Sequence, residues 1–394
     1  MLRGVTQMRK LNIVMVAACP FPARRGTPAR ILRLAEALGH RGHRVNVVTY
    51  HLGGPLGDVP FSVTRIADIP FYRRLEAGPN YRKLWVDWKL SGEIRAVLQQ
   101  GPVDLIHAHH YEGFLAALIG CRGRSLPIVY DAHTMLESEL PHYRLGMPAA
   151  VKRVLGRLLD NRVPQRAAHV MAVTDLIRTA LIARGAVLPE RITTVPNGVE
   201  FAHFSTAALA AHREEGARRR VIFTGNLAPY QGIDLMLRAF AKVVRALGDV
   251  ELHIVTGDTF QPYGPLALEL GVNHLLRFSP DDFRSLPLHL AAADVALNPR
   301  GHCAGVPMKL LNYMASGRAV VSCAGSARHL EHGHSGWIVP DGDVDGLAAG
   351  ILELLTNREL ASRLGTTAEA VIRDTFSWDR SAQLAEQGYL TVVK

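Results

Sequence analysis

The sequence predicts an α/β protein made of two doubly wound parallel-sheet domains. Three observations predict it. Short apolar runs alternate with segments of helical periodicity through both halves of the chain, the pattern of strands joined by crossover helices. A turn signal, Pro196-Asn-Gly198, followed by a loosely patterned stretch rich in Ala, Arg and Glu up to Arg220, separates the halves. The length of 394 residues, with 48% hydrophobic and 20% charged, suits two ordinary domains and excludes collagen-like, disordered and disulfide-stapled chains.

In the first half, residues 11–18 read as a strand, 20–28 as a loop containing Gly and Pro, and 29–38 as a helix. Residues 43–50 and 103–108 follow as strands, 113–119 as a helix, and 128–130, 169–173 and 192–195 as further strands. Strands separated by helices imply a parallel sheet covered on both faces. The second half repeats the theme with a strand at 221–224, a helix at 233–247 and a strand at 250–255. Shorter segments at 265–270, 275–278 and 286–292 lead to a strand at 295–297, a helix at 307–315, a strand at 319–322 and an apolar run at 337–339. After Phe376-Ser-Trp-Asp379, with Ser377 or Asp379 as N-cap, an amphipathic helix runs to Leu390. The expected division is 1–198, 199–375 and a terminal helix in 376–394.

A formal charge of +10 points to an anionic partner: nucleic acid, anionic lipid or the phosphates of a sugar nucleotide. Nothing resembles a nucleic-acid module, so no nucleic-acid partner is expected. Cys19, Cys121, Cys303 and Cys323 are widely spaced and form no Cys-x-x-Cys pair, which argues against a zinc site or a disulfide framework and makes a reducing cytoplasm the default. No run of 18 apolar residues suggests a membrane span. Met8-Arg-Lys10, the run Leu11 to Ala18 and Cys19 faintly resemble a secretory signal, but the run is short, Asn12 interrupts it and a turn and helix follow, so it reads as a buried first strand.

Several stretches carry chemistry. Arg300-Gly-His-Cys-Ala-Gly-Val-Pro-Met-Lys-Leu-Leu-Asn-Tyr-Met-Ala-Ser-Gly317 reads as a polar loop opening into a helix. Such a junction offers unpaired backbone N–H groups and the positive end of a helix dipole to an anion. Pro307 suits a first helical turn, Lys309 adds a cation and Gly317 a stop. The stretch Pro20 to Ala29 lies between the first strand and helix, where open sheets bind ligands; Gly26 would let backbone approach a phosphate, and Arg24 and Arg25 would meet it. A plain connecting loop fits this stretch equally well.

His133 closes Val129-Tyr-Asp-Ala-His-Thr134 at a strand's carboxyl end, as either a structural group or a site residue. Asp104-Leu-Ile-His-Ala-His-His-Tyr-Glu112 sets His107 and His109 on one strand face with His110 beside them. Without a second cluster at ligand spacing this reads as structural or substrate-lining, with no metal, and His109, Tyr111 and Glu112 are candidates to touch an acceptor. The basic, aromatic segment 71–89, with Tyr81, Trp85 and Trp88, reads as a partly buried surface helix or as a peripheral contact with an anionic membrane.

In this order, from residue 11 to about 390, the motifs resemble those of the retaining GT-B glycosyltransferases of family 4. In that family the stretch matching 300–317 carries a Glu, seven residues and a second Glu; here Gly305 to Leu311 fill the interval, and Ala304 and Asn312 stand at the acidic positions. The stretch Val221 to Asp234 resembles the strand, turn and helix start where the family places a phosphate-clamping Arg and Lys; Asn226 and Gln231 stand there. Arg41-Gly-His-Arg-Val45 resembles the run after the family's first helix. Gly26 aligns with the glycine that meets the donor diphosphate, with Arg25 and Thr27 beside it where a second glycine is usual.

The resemblance implies that His133 is the catalytic residue, hydrogen-bonding the transferred sugar and shaping charge at its anomeric carbon. It implies a donor-binding set of Gly26, Thr27, Arg25, Asn226, Gln231, Arg300, Ala304, Gly305, Lys309, Leu310, Leu311 and Asn312. The implied protein is a GT-B enzyme, two Rossmann-like domains facing a cleft, that moves a hexose from a nucleotide-diphosphate sugar to a hydroxyl of a glycan, glycolipid or polysaccharide precursor, with retention and with no metal or other cofactor. Residues 1–198 would hold the acceptor, 199–375 the donor, and the helix in 376–394 would cross back to the first domain. The expected place is the cytoplasm, at the inner face of the membrane where the acceptor is lipid-linked. Replacement of two cations and two anions leaves two outcomes: a re-specified donor site, or a non-catalytic homologue that assists another transferase. A dinucleotide enzyme is disfavoured because no Gly-x-Gly-x-x-Gly follows a strand.

Overall fold

The computed structural model describes residues 9–23, 26–73, 81–143, 146–204, 218–282, 284–301, 306–373 and 375–393. The chain forms two compact units, residues 1–198 with 378–394, and residues 199–377. Phe376 and Ser377, assigned by sequence to the terminal segment, stay with the second unit because the Val199 N–H donates to the Phe376 carbonyl at 2.6 Å.

The first unit holds seven parallel strands: β1 Asn12–Ala17, β2 Arg44–Thr49, β3 Ser62–Arg65, β4 Leu105–His109, β5 Ile128–Ala132, β6 His169–Ala172 and β7 Ile192–Thr194. Their order is β3-β2-β1-β4-β5-β6-β7. The direction of winding therefore reverses between β1 and β4, and connections leave the two strands on opposite faces, opening a crevice at their carboxyl ends. Helix α1 Gly26–His40 packs on one face. Helices α2 Tyr81–Gln100, α3 His110–Gly120, α5 Ala149–Arg166 and α6 Asp175–Ala183 cover the other, with the short α4 Leu136–Glu139 between β5 and α5.

In the second unit the strands are β8 Arg219–Thr224, β9 Val250–Val255, β10 Leu276–Ser279, β11 Val295–Asn298, β12 Ala319–Cys323 and β13 Trp337–Val339, in the order β10-β9-β8-β11-β12-β13. The reversal here lies between β8 and β11. Helices α7 Phe201–Phe204, α8 Ile233–Leu247, α9 Gly264–Glu269, α10 Leu286–Ala291, α11 Met308–Ala315, α12 Val344–Thr356 and α13 Arg358–Arg373 surround the sheet. Close packing of α13 depends on a glycine: a Cβ at Gly365 would lie 2.0 Å from the Gly317 carbonyl oxygen, and Gly317 itself ends α11 at φ 64°.

The last helix, α14 Trp378–Leu390, belongs to the first unit, and the sequence explains why. Ala382, Ala385 and Tyr389 pack in the same core as Ile31, Leu34 and Met171. Arg41 grips Glu386 through two N–H groups at 2.7 and 2.8 Å and reaches Asp379 at 2.8 Å. His43 accepts the Leu11 N–H on Nδ1 at 3.1 Å, so its Nε2 carries the proton and donates to Glu386 at 2.8 Å. The Arg41-Gly-His43 run is thus the clasp for the terminal helix.

Some elements differ from the sequence expectation. Helix α1 starts at Gly26, so Gly26, Thr27 and Pro28 form its first turn and not the end of a loop. Pro307 is the residue before α11, which begins at Met308. Strand β3 and helices α5, α6, α12 and α13 are additions to that expectation. Cys19, Cys121 and Cys323 are free thiols, and Cys303 lies outside the described residues. No helix among the described residues is long and apolar enough to cross a membrane.

Candidate functional site

Polar groups gather at the reversal point of each sheet. In the first unit the register sets His109 of β4 beside Asp131 of β5, and His107 two residues earlier points to the same face. The His107 and His109 rings stack with centroids 4.3 Å apart. Asp131 is fully buried, and Arg30 of α1 holds both its oxygens, Nε to Oδ2 at 2.8 Å and Nη2 to Oδ1 at 3.0 Å. His109 Nδ1 approaches the same Oδ2 at 2.9 Å. The remaining guanidinium nitrogen of Arg30 donates to Asn197 Oδ1 at 3.0 Å, and His107 Nδ1 meets the Tyr389 hydroxyl at 2.7 Å.

His133 stands at the outer edge of this cluster. Its Nε2 lies 3.4 Å from Asp131 Oδ2 and 3.3 Å from His109 Nδ1, and its Nδ1 faces Thr27 Oγ1 at 3.3 Å. The arrangement suits a neutral ring whose Nε2–H points at the carboxylate while Nδ1 accepts from the threonine hydroxyl. The His133 side chain keeps 8% of its surface accessible, whereas those of His107, His109 and Asp131 keep none. Next to it His110 adopts φ 64°, an uncommon conformation for a residue with a side chain, which turns the chain from β4 into α3 and brings its ring 5.6 Å from that of His133.

The electrostatics follow from burial. Burial opposes ionisation of Asp131, but Arg30 together with His133, His107 and His109 outweighs it and holds the carboxyl well below the usual range. Burial also pushes His133 down, as it does His109, with His107 adding to the effect. His110 falls to about 4 through burial and the neighbouring His133.

A stability consequence follows. Each of these rings is harder to protonate folded than unfolded, so the unfolded chain binds more protons below the ordinary imidazole value of about 6.5. His169 and His253, each lowered to about 4 by burial, act in the same sense. Asp87, pushed up to about 7 by burial and Glu112, and Asp160, raised by burial, work the other way but are outnumbered. The urea midpoint should therefore fall between pH 7 and pH 5; an unchanged or rising midpoint would contradict neutral buried histidines.

Donor atoms of His107, His109 and Asp131 all lie within 4.8 Å of one another, the one grouping among the described residues that could hold a metal ion. The surroundings disfavour a cation, because the Arg30 guanidinium already occupies both Asp131 oxygens and would repel it.

Of the three residues expected to touch an acceptor, the structure corrects His109. His109 is buried, with its ring committed to Asp131, and cannot touch an acceptor. Tyr111 packs against Leu136 and Leu140, and Glu112 accepts from Lys83 Nζ at 2.6 Å.

In the second unit four of the predicted residues, Asn226, Gln231, Arg300 and Lys309, converge at the carboxyl ends of β8 and β11. Lys309 Nζ donates to Gln231 Oε1 at 2.7 Å and sits 4.1 Å from the centre of the Phe223 ring. Gln231 Nε2 donates to Asn226 Oδ1 at 3.2 Å, and Asn226 Nδ2 donates to the Tyr230 hydroxyl at 3.1 Å. The Arg300 guanidinium lies over the Tyr230 ring at 4.8 Å, and its buried Nε has no hydrogen-bond partner among the described residues. A chain of contacts thus links Lys309, Gln231, Asn226, Tyr230 and Arg300. Neutral Gln231 supplies an acceptor to Lys309 where a second cation would repel it. The turn needs Gly232, at φ 73°, since a Cβ there would lie 2.5 Å from the Pro299 carbonyl oxygen.

Leu310 and Leu311 are a further correction. Both side chains are buried in the core with Ile222 and Val320, and their N–H groups point back to the Pro307 carbonyl. Neither presents a group to a donor. Asn312 is half-buried on α11. Arg24, Arg25, Ala304 and Gly305 lie outside the described residues. Sequence reasoning missed Arg30, Asn197, Tyr389 and Tyr230 as partners of the site. Arg30 alone left a signal: it sits four residues before Leu34, on the face α1 buries.

Residues 24–203 match the model of Glycosyltransferase Family 4, and residues 218–357 match that of Glycosyl transferases group 1. The chain belongs to glycosyltransferase family 4. Among curated relatives of this family 4 glycosyltransferase, a D-inositol 3-phosphate glycosyltransferase of Geodermatophilus obscurus is 28% identical and aligns over 92% of this chain and 84% of its own. A phosphatidyl-myo-inositol mannosyltransferase of Mycolicibacterium smegmatis is also 28% identical, over 97% of this chain and 94% of its own. Among solved structures, the sucrose-phosphate synthase of Thermosynechococcus elongatus superposes with a TM-score of 0.78 at 18% identity, covering 97% and 98% of the two chains. Anabaena HepE in complex with UDP and glucose superposes at 0.71 with 18% identity, over 96% and 98%. The fold is GT-B, two parallel-sheet α/β domains.

Proposed function

We propose that this glycosyltransferase moves a sugar from a nucleotide-diphosphate donor to a hydroxyl acceptor with retention of anomeric configuration and without a metal. The second unit (199–377) holds the donor, the first the acceptor, and His133 bonds the transferred sugar. The observation that carries the reading is the linked chain of Lys309, Gln231, Asn226, Tyr230 and Arg300 at the β8 and β11 ends, which supplies cations and neutral donors for a diphosphate. In the retaining scheme the acceptor attacks from the face the diphosphate leaves, and a donor phosphate oxygen takes its proton. That scheme asks for no protein nucleophile, so Ala304 and Asn312 in place of two carboxylates alter the grip on the donor and leave the chemistry possible.

The acceptor class follows from the relatives named for inositol phosphate and phosphatidyl-inositol: a hydroxyl on a polyol phosphate or on a lipid carrying one. Membrane contact through the 71–89 segment is part of the same proposal. The exposed Trp85 and Trp88, with tilted rings whose centroids lie 4.8 Å apart and Lys89 Nζ at 5.5 and 5.3 Å from them, support it.

Titration with a panel of nucleotide diphosphates and nucleotide sugars, together with donor hydrolysis, tests the reading. Lys309→Gln should weaken nucleotide-sugar binding about tenfold, the loss of one charge-assisted contact. If no nucleotide or nucleotide sugar binds at millimolar concentration, the transferase reading fails in favour of a non-catalytic homologue.

A further inference from the structure

Exposed apolar side chains in the first unit are concentrated on one helical layer. Leu84, Trp85 and Trp88 of α2, Leu115 and Ile119 of α3, and Val151, Val154, Leu155 and Leu158 of α5 all face solvent. The opposite layer, α1 and α14, exposes only Leu390 among the described large hydrophobics. The inner faces of α2, α3 and α5 share one core, Val86, Leu90 and Ile94 with Phe114, Ala117 and Val163, so their outer faces lie side by side on a single surface.

Helix α5 is the most informative part. Val151, Val154, Leu155 and Leu158 recur at helical spacing on one stripe, opposite the buried Lys152, Gly156, Asp160 and Val163. The inward charges of α5 are used inside the fold: Lys152 donates to the Pro141 and Tyr143 carbonyls, and Asp160 accepts from the Leu136 and Glu137 N–H groups. Outward, every exposed charged residue described on the three helices is basic: Lys89, Arg95, Arg153, Arg157, Arg162 and Arg166. Arg157 shares Glu137 with Arg184; that carboxylate is not on the outward stripe.

We propose that the outer faces of α2, α3 and α5 form one continuous surface that lies on an anionic lipid bilayer, with the α5 aliphatic stripe entering the headgroup boundary and its arginines meeting lipid phosphates. Charge decides the occupant. A second copy docked face to face would oppose these cations with their own counterparts, whereas anionic headgroups neutralise them while the acyl boundary takes the aliphatic stripe. This extends the membrane contact proposed for 71–89 to a surface centred elsewhere, and it does not depend on the donor chemistry.

Sedimentation with vesicles of phosphatidylglycerol and phosphatidylcholine, against phosphatidylcholine alone, tests it. The full chain should bind the mixed vesicles, less so as salt rises, and the pure phosphatidylcholine vesicles weakly. Val154→Ser with Leu158→Ser should weaken that binding roughly tenfold, and Arg153→Gln with Arg162→Gln should weaken it and flatten its salt dependence. Both pairs should keep the wild-type melting temperature and nucleotide-sugar binding, since none of the four residues is buried and none belongs to the donor set. Undiminished binding of the α5 variant, with loss in Trp85→Ala and Trp88→Ala, would overturn the extended surface and leave contact at α2 alone. No binding by the wild type would overturn both. A concentration-dependent dimer that the α5 variant disperses, without vesicle binding, would assign the face to a second copy instead.

Discussion

Asp131→Ala should cost about 3–5 kcal/mol of stability, the loss expected when one partner of a buried ion pair is removed. Arg30 has 2% of its surface exposed, and two of its three hydrogen-bonding nitrogens are spent on Asp131. Without the carboxylate, the Asn197 side-chain oxygen still accepts from that guanidinium, and a full positive charge stays buried beside His107, His109 and His133. Asp131→Asn keeps the shape and loses the charge, so it should fall between wild type and alanine. The double variant Arg30→Met with Asp131→Leu should recover most of the loss, because replacing a whole buried pair by apolar groups is far milder than breaking it. Urea denaturation with an unchanged slope is the check. A cost below about 1 kcal/mol for the alanine variant would mean that water or another anion compensates Arg30 and that the cluster is not a structural keystone of the first unit.

This cluster also shows where sequence reading stopped. Strand and helix periodicity placed β1, β4 and β5 and thereby the ends at which a site could form, since apolar alternation and length are local properties. The same local reading put His107 and His109 on one face. It could not see that Asp131 draws both rings inward, because that depends on register between β4 and β5 and on an arginine a hundred residues earlier in sequence. In sequence His109 therefore reads as a candidate to touch an acceptor. Helix α5 escaped notice for a related reason: its aliphatic residues face outward and its inward face carries Lys152 and Asp160, the reverse of the pattern that marks a helix in sequence. In the second unit the resemblance picked out Asn226, Gln231 and Lys309, and the structure brings them together; it also selected Leu310 and Leu311, whose positions in a motif do not reveal that their side chains point into the core.

His133→Ala should lower kcat on the order of a hundredfold with a smaller change in donor affinity, the effect of losing one preorganised hydrogen-bonding group at a reacting centre. The ring is the one member of the His107, His109, His133 and Asp131 cluster with an accessible edge, so it alone can reach a substrate. Its pH behaviour carries the sharper test. Burial holds His133 below the ordinary imidazole value, with Asp131 pulling in the opposite direction by favouring the charged ring. A neutral ring is then the working form, activity should be level near neutrality, and an acid limb should appear only below the usual histidine range. Removing the opposing influence should move that limb: Asp131→Asn no longer stabilises the imidazolium, the ring becomes harder still to protonate, and the limb should shift to lower pH even though the variant is less stable. A purely structural Asp131 would reduce the amount of active protein without moving the limb, and activity lost instead as the pH rises, at a lower pH in Asp131→Asn than in the wild type, would show that the protonated ring, not the neutral one, serves the reaction.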